Sequence, residues 1–427
     1  MKTKPQTIVL LLLMLPTAPG CGRYLVATPN LLQMPGAQHA YSTCPEDCQK
    51  PDALVLYATD RSVEGRNGAS PRYGYGRSSS LAFGLAKVGL DPSPSWNELI
   101  RESTRAKRKR DYTLTLANTQ ELGRLKPPVA QVAAGDDKSV ITQTAAQEIA
   151  AQRNEFCELL RGRLAQTSHK DVFIFIHGYN NTFEDAVFRA AEVWHFMGRV
   201  GVPVAYSWPA GLGGLRGYAY DRESGEFTVT HLRRFIQTIA ECPDVERIHL
   251  IAHSRGCDVT ISALRELNLV HRAQDKNTQQ ALKLENLVLA APDIAEDIFL
   301  QRFVSERLLK VARRTTIYSS RKDRAIELAD LIFASKRRLG MLEEKDFSPK
   351  MKHALARLPN VQFIECRLSG LWIGHSYVFD HPAGLSDLIL VLRDRRDPGP
   401  ENGRPLSRPA EAIWELNDSY FATTTSK

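Results

Sequence analysis

The chain has 427 residues and a formal net charge of +8, with 43% hydrophobic and 24% charged residues. This composition is that of an ordinary globular protein and excludes a fibrous or largely disordered chain. The length accommodates one large domain and a smaller N-terminal region. The densest basic run, Arg105-Ala106-Lys107-Arg108-Lys109-Arg110, contains no aromatic residue that would stack on a base. It indicates a solvated loop or a weak phosphate-binding patch, and we expect no nucleic acid partner.

The N-terminus has the pattern of an export signal. Lys2 and Lys4 precede the unbroken apolar run Ile8–Leu15, which is too short to span a bilayer. The following Ala18-Pro19-Gly20-Cys21 is similar to the bacterial lipobox, although an alanine stands where that signal usually has leucine. The pattern predicts an exported, membrane-anchored lipoprotein of the bacterial cell envelope, whose mature chain begins at a lipid-modified Cys21. The alternative is an ordinary signal peptide that ends near a cysteine.

Six further cysteines follow Cys21, and an exported protein can keep disulfide bonds. Cys44 and Cys48 lie close together in a loop and are candidates for a bridge with each other. The other four lie in expected helices and a strand, where buried free thiols are the expected state: Cys157, Cys242, Cys257 and Cys366. No Cys/His spacing resembles a zinc site, so we expect neither a metal nor a cofactor.

The chain divides by pattern into a signal segment at 1–21, an N-terminal region at 22–140, a core at 141–395 and a tail at 396–427. In the N-terminal region we expect strands at Asp52–Tyr57 and Tyr112–Leu116. Residues 62–80, rich in glycine, serine and arginine, are expected to form a loop, and 123–138 a linker. The tail, rich in Pro, Arg and Gly, is expected to wrap around the surface.

From residue 171 onward, short apolar runs alternate with amphipathic helical stretches. The expected strands are Val172–Ile176, Val202–Tyr206, Ile248–Ala252, Leu287–Ala291, Thr315–Ser319 and Val361–Cys366. The expected helices are Thr144–Leu164, Glu184–Val200, Thr228–Glu241, Asp258–Leu267, Ala295–Lys310, Ala325–Arg337 and Gly384–Arg393. This alternation predicts an α/β fold with a mainly parallel sheet and helices on both faces.

One strand-to-helix junction carries a nucleophile motif. The expected strand Ile248–Ala252 leads through His253 into Ser254-Arg255-Gly256 at the start of a helix. Small-x-Ser-x-Gly in this position is the nucleophile elbow of the α/β-hydrolase fold, in which the serine lies on a sharp, strained turn with its Oγ exposed. The residues two before and two after the serine must be small, as Ala252 and Gly256 are. The alternative is a serine at a βα turn of another Rossmann-like fold.

A second signal is His177-Gly178-Tyr179, directly after the expected strand Val172–Ile176. The α/β hydrolases place their second oxyanion donor after this strand. The expected donors are the backbone N–H groups of Tyr179 and Arg255. We interpret His177 as a histidine that braces the loop, because the catalytic base should follow the serine in chain order.

Four histidines follow the serine and are candidates for the base: His271, His353, His375 and His381. His375 is favoured because it lies between the last strand and the last helix, where the fold carries its base. The acid has two candidates, Asp293 after the strand that follows the elbow helix and Asp323 after the next strand. The usual position is after the later strand, which favours Asp323. Asp293 would then serve as a helix N-cap.

Eight short motifs of the chain belong together. They are Tyr57–Arg61, Tyr73–Arg77, His177–Asn180, Ser207–Pro209, Ala252–Gly256, Ala291–Asp293, Ser320–Asp323 and Gly374–Tyr377. As a set they resemble the bacterial α/β hydrolases of unknown function, the domain-of-unknown-function 900 family, over most of residues 52–392. The resemblance implies the α/β-hydrolase fold and a triad of Ser254, Asp323 and His375. It implies no substrate.

These patterns predict a serine hydrolase that acts on a small-molecule or lipid ester through an acyl-enzyme at Ser254. The glycine-rich segment Gly211–Gly217 is either a mobile rim over the pocket or an ordinary surface loop. The competing hypothesis is a non-catalytic envelope lipoprotein that keeps the fold as a binding scaffold.

Overall fold

The computed structural model describes residues 23–127, 130–132, 139–141, 143–323, 325–326, 337–370, 374–410 and 413–422. The predicted signal segment, Cys21 and most of the expected helix Ala325–Arg337 lie outside the described residues. None of the described helices is both long enough and apolar enough to cross a bilayer.

Thirteen strands and ten α-helices are present in the described part of the chain. The strands are β1 (Ala53–Asn67), β2 (Ser70–Asp91), β3 (Thr113–Leu125), β4 (Ala130–Val132), β5 (Ser139–Ile141), β6 (Asp171–Ile176), β7 (Val202–Ser207), β8 (Arg247–His253), β9 (Leu284–Ala290), β10 (Arg314–Ser319), β11 (Val361–Arg367), β12 (Ser407–Ala410) and β13 (Ile413–Asn417). The helices are α1 (Trp96–Ser103), α2 (Gln143–Ala165), α3 (Phe183–Phe196), α4 (Gly214–Glu241), α5 (Arg255–Ala273), α6 (Thr278–Ala281), α7 (Glu296–Phe299), α8 (Pro349–Ala356), α9 (Tyr377–Asp380) and α10 (Pro382–Leu392).

Eleven of these strands form one sheet, in the order β12-β13-β11-β10-β9-β8-β6-β7-β1-β2-β3, while β4 and β5 pair separately. The strands from β13 to β1 in that order are parallel to their neighbours. Antiparallel pairs complete both edges. The chain builds outward from β6 first towards β7 and later towards β8. The strand order therefore reverses between β6 and β8, and ligands of open α/β sheets bind at the carboxyl ends of strands at such a switch point.

Alternate side chains of β6 face two different apolar layers. Val172, Ile174 and Ile176 belong to a core with side chains of α2, α4 and α5. Phe173 and Phe175 belong to a second core with side chains of α3 and α10. Because every residue of this strand is buried, helices must cover both faces of the sheet. The predicted fold class is confirmed.

Residues 62–80, expected to form a loop, are instead the outer part of a β-hairpin. β1 and β2 pair antiparallel from Ala53↔Val88 to Asn67↔Ser70, and Gly68 in the connecting turn has φ 59°. Most side chains near the turn are exposed or half-buried. The prediction was wrong because hydrogen bonds between the two backbones hold this ribbon together. Its side chains are not buried in alternation, so the sequence shows no alternating apolar pattern.

The C-terminal tail joins the sheet, which differs from the expected surface wrap. β13 lies parallel to β11, and β12 pairs with β13. The buried carboxylate of Asp387 in α10 anchors the tail, because it accepts hydrogen bonds from Arg404 at 2.8 and 2.7 Å and from Tyr420 at 2.7 Å. The expected helix Ala295–Lys310 is also interrupted, since α7 ends at Phe299 and is followed by a π-helical turn.

The cysteine pairing differs from the prediction. Cys157 of α2 and Cys242, which follows α4, form a disulfide bond across 85 residues of sequence. Cys44 and Cys48 are free and buried, so neither the expected bridge nor the expected thiols at 157 and 242 are present. The bonded cysteines meet because α2 and α4 pack on the same face of the sheet, which no local pattern reveals. Cys257 and Cys366 are buried free thiols, as expected.

Loss of this disulfide bond should lower the free energy of unfolding by about 2–4 kcal/mol, because the bond closes a long loop in the unfolded chain. Urea unfolding of the double variant Cys157→Ala/Cys242→Ala measures the change. Dithiothreitol should lower the unfolding midpoint of the wild type and leave that of the variant where it is. A wild type that is insensitive to the reductant would contradict the assignment.

Candidate active site

Ser254 occupies the turn between β8 and α5, at the carboxyl end of the sheet. Its backbone has φ 54° and ψ −125°, a conformation that residues other than glycine rarely adopt. Hydrogen bonds hold the turn on both sides. Ser254 N donates to Ala290 O at 2.9 Å, and Ser254 O accepts from Cys257 N at 3.0 Å. This strained strand-to-helix turn has the geometry of a nucleophile elbow.

Two glycines allow the elbow to touch the loop after β6. A Cβ on Gly256 would lie 2.4 Å from His177 O and 2.7 Å from Ile176 O. A Cβ on Gly178 would lie 2.6 Å from Ser254 Cβ. Real Cβ atoms do not approach other atoms this closely, so a side chain at either position would push the two loops apart.

Two backbone N–H groups next to Ser254 are available. Within the described part of the chain, the N–H groups of Tyr179 and Arg255 make no hydrogen bond, whereas the neighbouring N–H groups of Gly178 and Asn180 do. Arg255 is also the first residue of α5, so its N–H lies at the positive end of the helix dipole.

His375 and Asp323 form a hydrogen-bonded pair at the same end of the sheet. Asp323 Oδ2 lies 2.7 Å from His375 Nδ1, and Asp323 is fully buried. Asp323 Oδ1 accepts from the N–H groups of Ala325 and Ile326 at 3.1 and 3.2 Å, which fixes the carboxylate. Among the described residues, no hydrogen bond joins Ser254 to His375.

His253, the residue before Ser254, connects the elbow to the His375 loop. His253 Nε2 donates to His375 O at 3.0 Å, and the two rings lie 4.7 Å apart between centroids. Burial, with a smaller contribution from the neighbouring imidazole of His375, holds the pKa of His253 well below its usual value. His253 is therefore a neutral donor that holds the His375 backbone beside the serine. Sequence reasoning did not assign it a role.

Asp293, the alternative acid, is engaged elsewhere. It accepts a hydrogen bond from Tyr218 OH at 2.7 Å and pairs with Arg338. The other candidate histidines also lie apart from the Asp323 pair. His271 lies in the last turn of α5, His353 lies in α8, and His381 Nδ1 accepts from Ala383 N at the start of α10.

His177 is a neutral brace, as interpreted from the sequence. Trp208 N donates to His177 Nε2 at 3.0 Å, so Nδ1 carries the proton and donates to Gly178 O at 2.9 Å. Burial and the nearby charge of Arg61 hold the pKa of His177 well below its usual value. The indole of Trp208 stacks on the imidazole and donates to His177 O at 2.7 Å.

Arg61 follows the last residue of β1 that pairs with β7 by two positions, and its side chain ties this loop to its neighbours. The buried guanidinium donates to Ser207 Oγ at 2.8 Å, to Ala210 O at 2.7 Å and to Asn181 O at 2.8 Å. Burial lowers the pKa of Arg61 to about 10. The motif Tyr57–Arg61 by itself predicts no role for Arg61, because the groups that its guanidinium contacts at Ser207, Ala210 and Asn181 are distant in sequence.

The start of α4 lies against the loop after β6. Tyr179 OH donates to Gly214 O at 2.9 Å, and the Tyr179 and Tyr218 rings lie 5.0 Å apart. The segment Gly211–Gly217 is therefore neither a rim loop nor a surface loop over its whole length, since the helix begins at Gly214. Its glycines masked the helical pattern in the sequence.

Asp221, one turn further along α4, also binds this loop. Its carboxylate accepts from Asn180 N at 2.9 Å and from Gly211 N at 3.3 Å. Burial raises the pKa of Asp221 to about 6 from the ordinary value of 3.8, although both hydrogen bonds oppose this shift. Asp221 thus positions the segment that carries Tyr179.

The pKa of Asp221 makes stability depend on pH in a defined direction. Because the pKa is higher in the folded state, the contribution of Asp221 is fully present below about pH 4 and is lost as the pH rises through about 6. Asp221→Asn keeps an acceptor oxygen without the charge. From pH 4 to 7, the unfolding free energy of the wild type should therefore fall by up to about 3 kcal/mol relative to that variant.

Urea unfolding across this pH range measures the difference. Glu226→Gln, an exposed change on the same helix, is the control and should follow the wild type. Parallel profiles for wild type and Asp221→Asn would contradict the assignment.

Within the described part, no group of three or more His, Cys, Asp or Glu side chains is placed to hold a metal ion.

A comparison with protein families matches residues 152–395 to the family described as alpha/beta hydrolase of unknown function (DUF900). The match spans more than half of the chain and includes the loop after β6, the elbow, Asp323 and His375. The chain belongs to this family. The motifs Tyr57–Arg61 and Tyr73–Arg77 lie outside the matched range.

Two solved structures are similar to the chain in part. One is a predicted CIB-like hydrolase from Thermoplasma acidophilum, with 16% identity and a TM-score of 0.31, covering 53% of this chain and 88% of that chain. The other is an esterase from Pyrobaculum calidifontis, with 9% identity and a TM-score of 0.29, covering 58% of this chain and 93% of that chain. At these TM-scores neither likeness bears on the site. A comparison with curated proteins found no match.

Proposed function

We propose that the protein is a serine hydrolase that cleaves carboxylic esters through an acyl-enzyme at Ser254. One observation carries the proposal. A serine in a strained elbow at the switch point of the sheet follows His253, and the His253 ring contacts a histidine that is hydrogen-bonded at 2.7 Å to a buried aspartate. A serine with only a structural role does not need such a turn. The strained backbone conformation of the turn costs of order 1–3 kcal/mol of stability.

The roles of Ser254, His375 and Asp323 follow from which ring nitrogen of His375 already has a hydrogen-bond partner. Asp323 binds Nδ1, so Nε2 is left to accept the Ser254 proton as Oγ attacks the ester carbonyl carbon. Asp323 orients the ring and stabilises the imidazolium. His375 then returns the proton to the departing alcohol, and a water molecule activated in the same way hydrolyses the acyl-enzyme. The missing hydrogen bond between Ser254 and His375 is compatible with this role, since such contacts often tighten only with substrate bound.

The unpaired N–H groups of Tyr179 and Arg255 would form the oxyanion hole. Arg255 directly follows Ser254, and Tyr179 directly follows Gly178, which packs against Ser254. Neither N–H group has another acceptor among the described residues. A developing negative charge on the carbonyl oxygen would be stabilised by both donors and by the N-terminus of α5. Each donor of this kind contributes about 10²–10³ in rate in measured cases.

A fluorophosphonate should label the wild type at Ser254, because only a serine with an assembled base is nucleophilic at neutral pH. Ser254→Ala and His375→Ala should abolish labelling. On a p-nitrophenyl ester each should lower kcat by several orders of magnitude, up to about 10⁶ in the best-studied analogue. Mass spectrometry of the labelled peptide and the ester assay provide the measurements.

Ser376→Ala and His381→Ala are the matched controls, since these residues lie in the same segment of the chain and carry no role in the proposed chemistry. Labelling at Ser207 or Ser376 would keep the enzyme class and overturn the assignment to Ser254. A folded wild type that is inert to both probe and ester would instead favour the non-catalytic scaffold.

We further propose that the protein is exported and anchored to the envelope membrane through lipid on Cys21. The positive segment, the short apolar run and the small residues before Cys21 support this localisation. The disulfide bond between Cys157 and Cys242 also supports it, since disulfides persist in oxidising compartments and are rare in the cytosol.

The mature protein should begin at Cys21 and carry acyl chains, because more than one chain is needed for stable anchoring. Its intact mass, measured after extraction from its native membrane, gives both the first residue and the modification. Cys21→Ser should partition into detergent differently from the wild type, whereas Cys44→Ser should partition as the wild type does. A mature chain that begins elsewhere would contradict the prediction.

A further inference from the structure

The first described residues enter the fold along the outer edge of β3. Leu25 N donates to Tyr112 O at 2.8 Å, and Leu114 N donates to Arg23 O at 2.7 Å. Tyr24 forms an antiparallel bridge with Thr113 between them. Cys21 is two residues before Arg23, so covalent geometry keeps the Cα atoms of these two residues within about 7 Å of each other. A lipid on Cys21 would hold the folded body close to the bilayer, without a long linker.

The basic run lies beside this point. It connects α1 to β3, and Arg108 donates to Leu25 O at 2.8 Å and to Val26 O at 2.6 Å. The buried carboxylate of Glu102 fixes the same loop, since it accepts from Lys109 N at 2.7 Å and from Arg105 at 3.0 Å. The loop and the N-terminal segment are therefore held together as one surface.

The exposed charge on this surface is mainly positive. Residues 101–111 contain six Lys or Arg and two acidic residues. Lys107, Lys109 and Arg110 are exposed, and within the described residues only Arg110 has an acidic partner, Glu98 at 4.0 Å. The exposed carboxylate of Asp111 offsets part of the charge.

We propose that Tyr24, Lys107, Lys109 and Arg110, here called the basic face, dock on the anionic phospholipid headgroups of the membrane. The cations complement headgroup phosphates, and clusters of Lys and Arg next to a membrane anchor bind anionic lipid. Tyr24 is 55% exposed, and an exposed tyrosine suits a membrane interface because it has an apolar ring and a polar tip. The basic run itself lacks aromatic residues, which disfavours nucleic acid as its partner.

Vesicle binding of the full chain carrying Cys21→Ser, which removes the acyl chains, tests the basic face. Vesicles of phosphatidylcholine alone are compared with vesicles that also contain phosphatidylglycerol. The N-terminal apolar run is the same in every variant, so its contribution cancels in the ratio of the two partition coefficients. We expect this ratio to favour the anionic vesicles and to fall with added salt.

Lys107→Gln/Lys109→Gln/Arg110→Gln should lower the ratio on the order of a hundredfold, since each cation contributes about fivefold at an anionic surface. The matched control is Arg272→Gln/Lys276→Gln/Lys310→Gln, which removes the same charge from exposed positions elsewhere and should change the ratio little. Thermal unfolding and ester hydrolysis of both triple variants should match those of the parent chain, because neither triple alters the elbow.

Three outcomes would overturn the proposal. The first is that the parent chain shows no preference for the anionic vesicles. The second is that both triple variants lose binding equally, which would indicate an effect of net charge alone. The third is that a single-stranded oligonucleotide binds the parent chain more tightly than the anionic vesicles do and loses affinity in the first triple variant. The basic face would then be a nucleic acid surface.

Discussion

The strained backbone of Ser254 is the constraint on which the surrounding site depends. A φ of 54° at a non-glycine residue persists only where neighbouring structure opposes its relaxation. Here the neighbours are the adjacent parallel strands. Ser254 N donates a hydrogen bond to Ala290 O, in the last residue of β9, and Gly256 packs against the carbonyl of Ile176, the last residue of β6. The contact of Gly256 with β6 helps to hold the strained turn of Ser254. The same contact brings the loop after β6, which carries Tyr179, close to the turn.

That loop is held by residues from outside the family-matched range. Arg61 comes from β1, whereas the matched residues begin at 152, yet its guanidinium reaches Ser207, Ala210 and Asn181. A buried arginine without an ion pair is costly. Among the described residues Arg61 has no such pair, and its guanidinium instead makes five hydrogen-bond contacts with polar groups. The N-terminal hairpin is thus part of the site's architecture, and residues 152–395 alone would lack the hydrogen bonds that Arg61 makes to this loop and its neighbours.

The strands of the core could be predicted because buried parallel strands are continuous apolar runs in the sequence. The elbow could be predicted because its serine and the two small residues that it requires lie within a few positions of one another. The choice of Asp323 over Asp293 followed from strand order, and the structure places Asp323 beside His375; their catalytic roles remain predictions. What escaped prediction depends on partners distant in sequence. The hairpin after Arg61 and the disulfide bond of Cys157 are fixed by sheet pairing and by helix packing, neither of which leaves a local periodicity.

The two ends of the sheet separate the proposed anchor from the proposed chemistry. Thr113, beside the basic face, pairs with Asp91 at the amino ends of the parallel strands, while Ser254 follows the carboxyl end of β8. Five strand spacings also lie between β3 and β8, which is about 24 Å across the sheet. A protein docked through the basic face would therefore hold Ser254 away from the headgroups. Such an arrangement favours ester substrates that arrive from the aqueous side over lipids that remain in the bilayer.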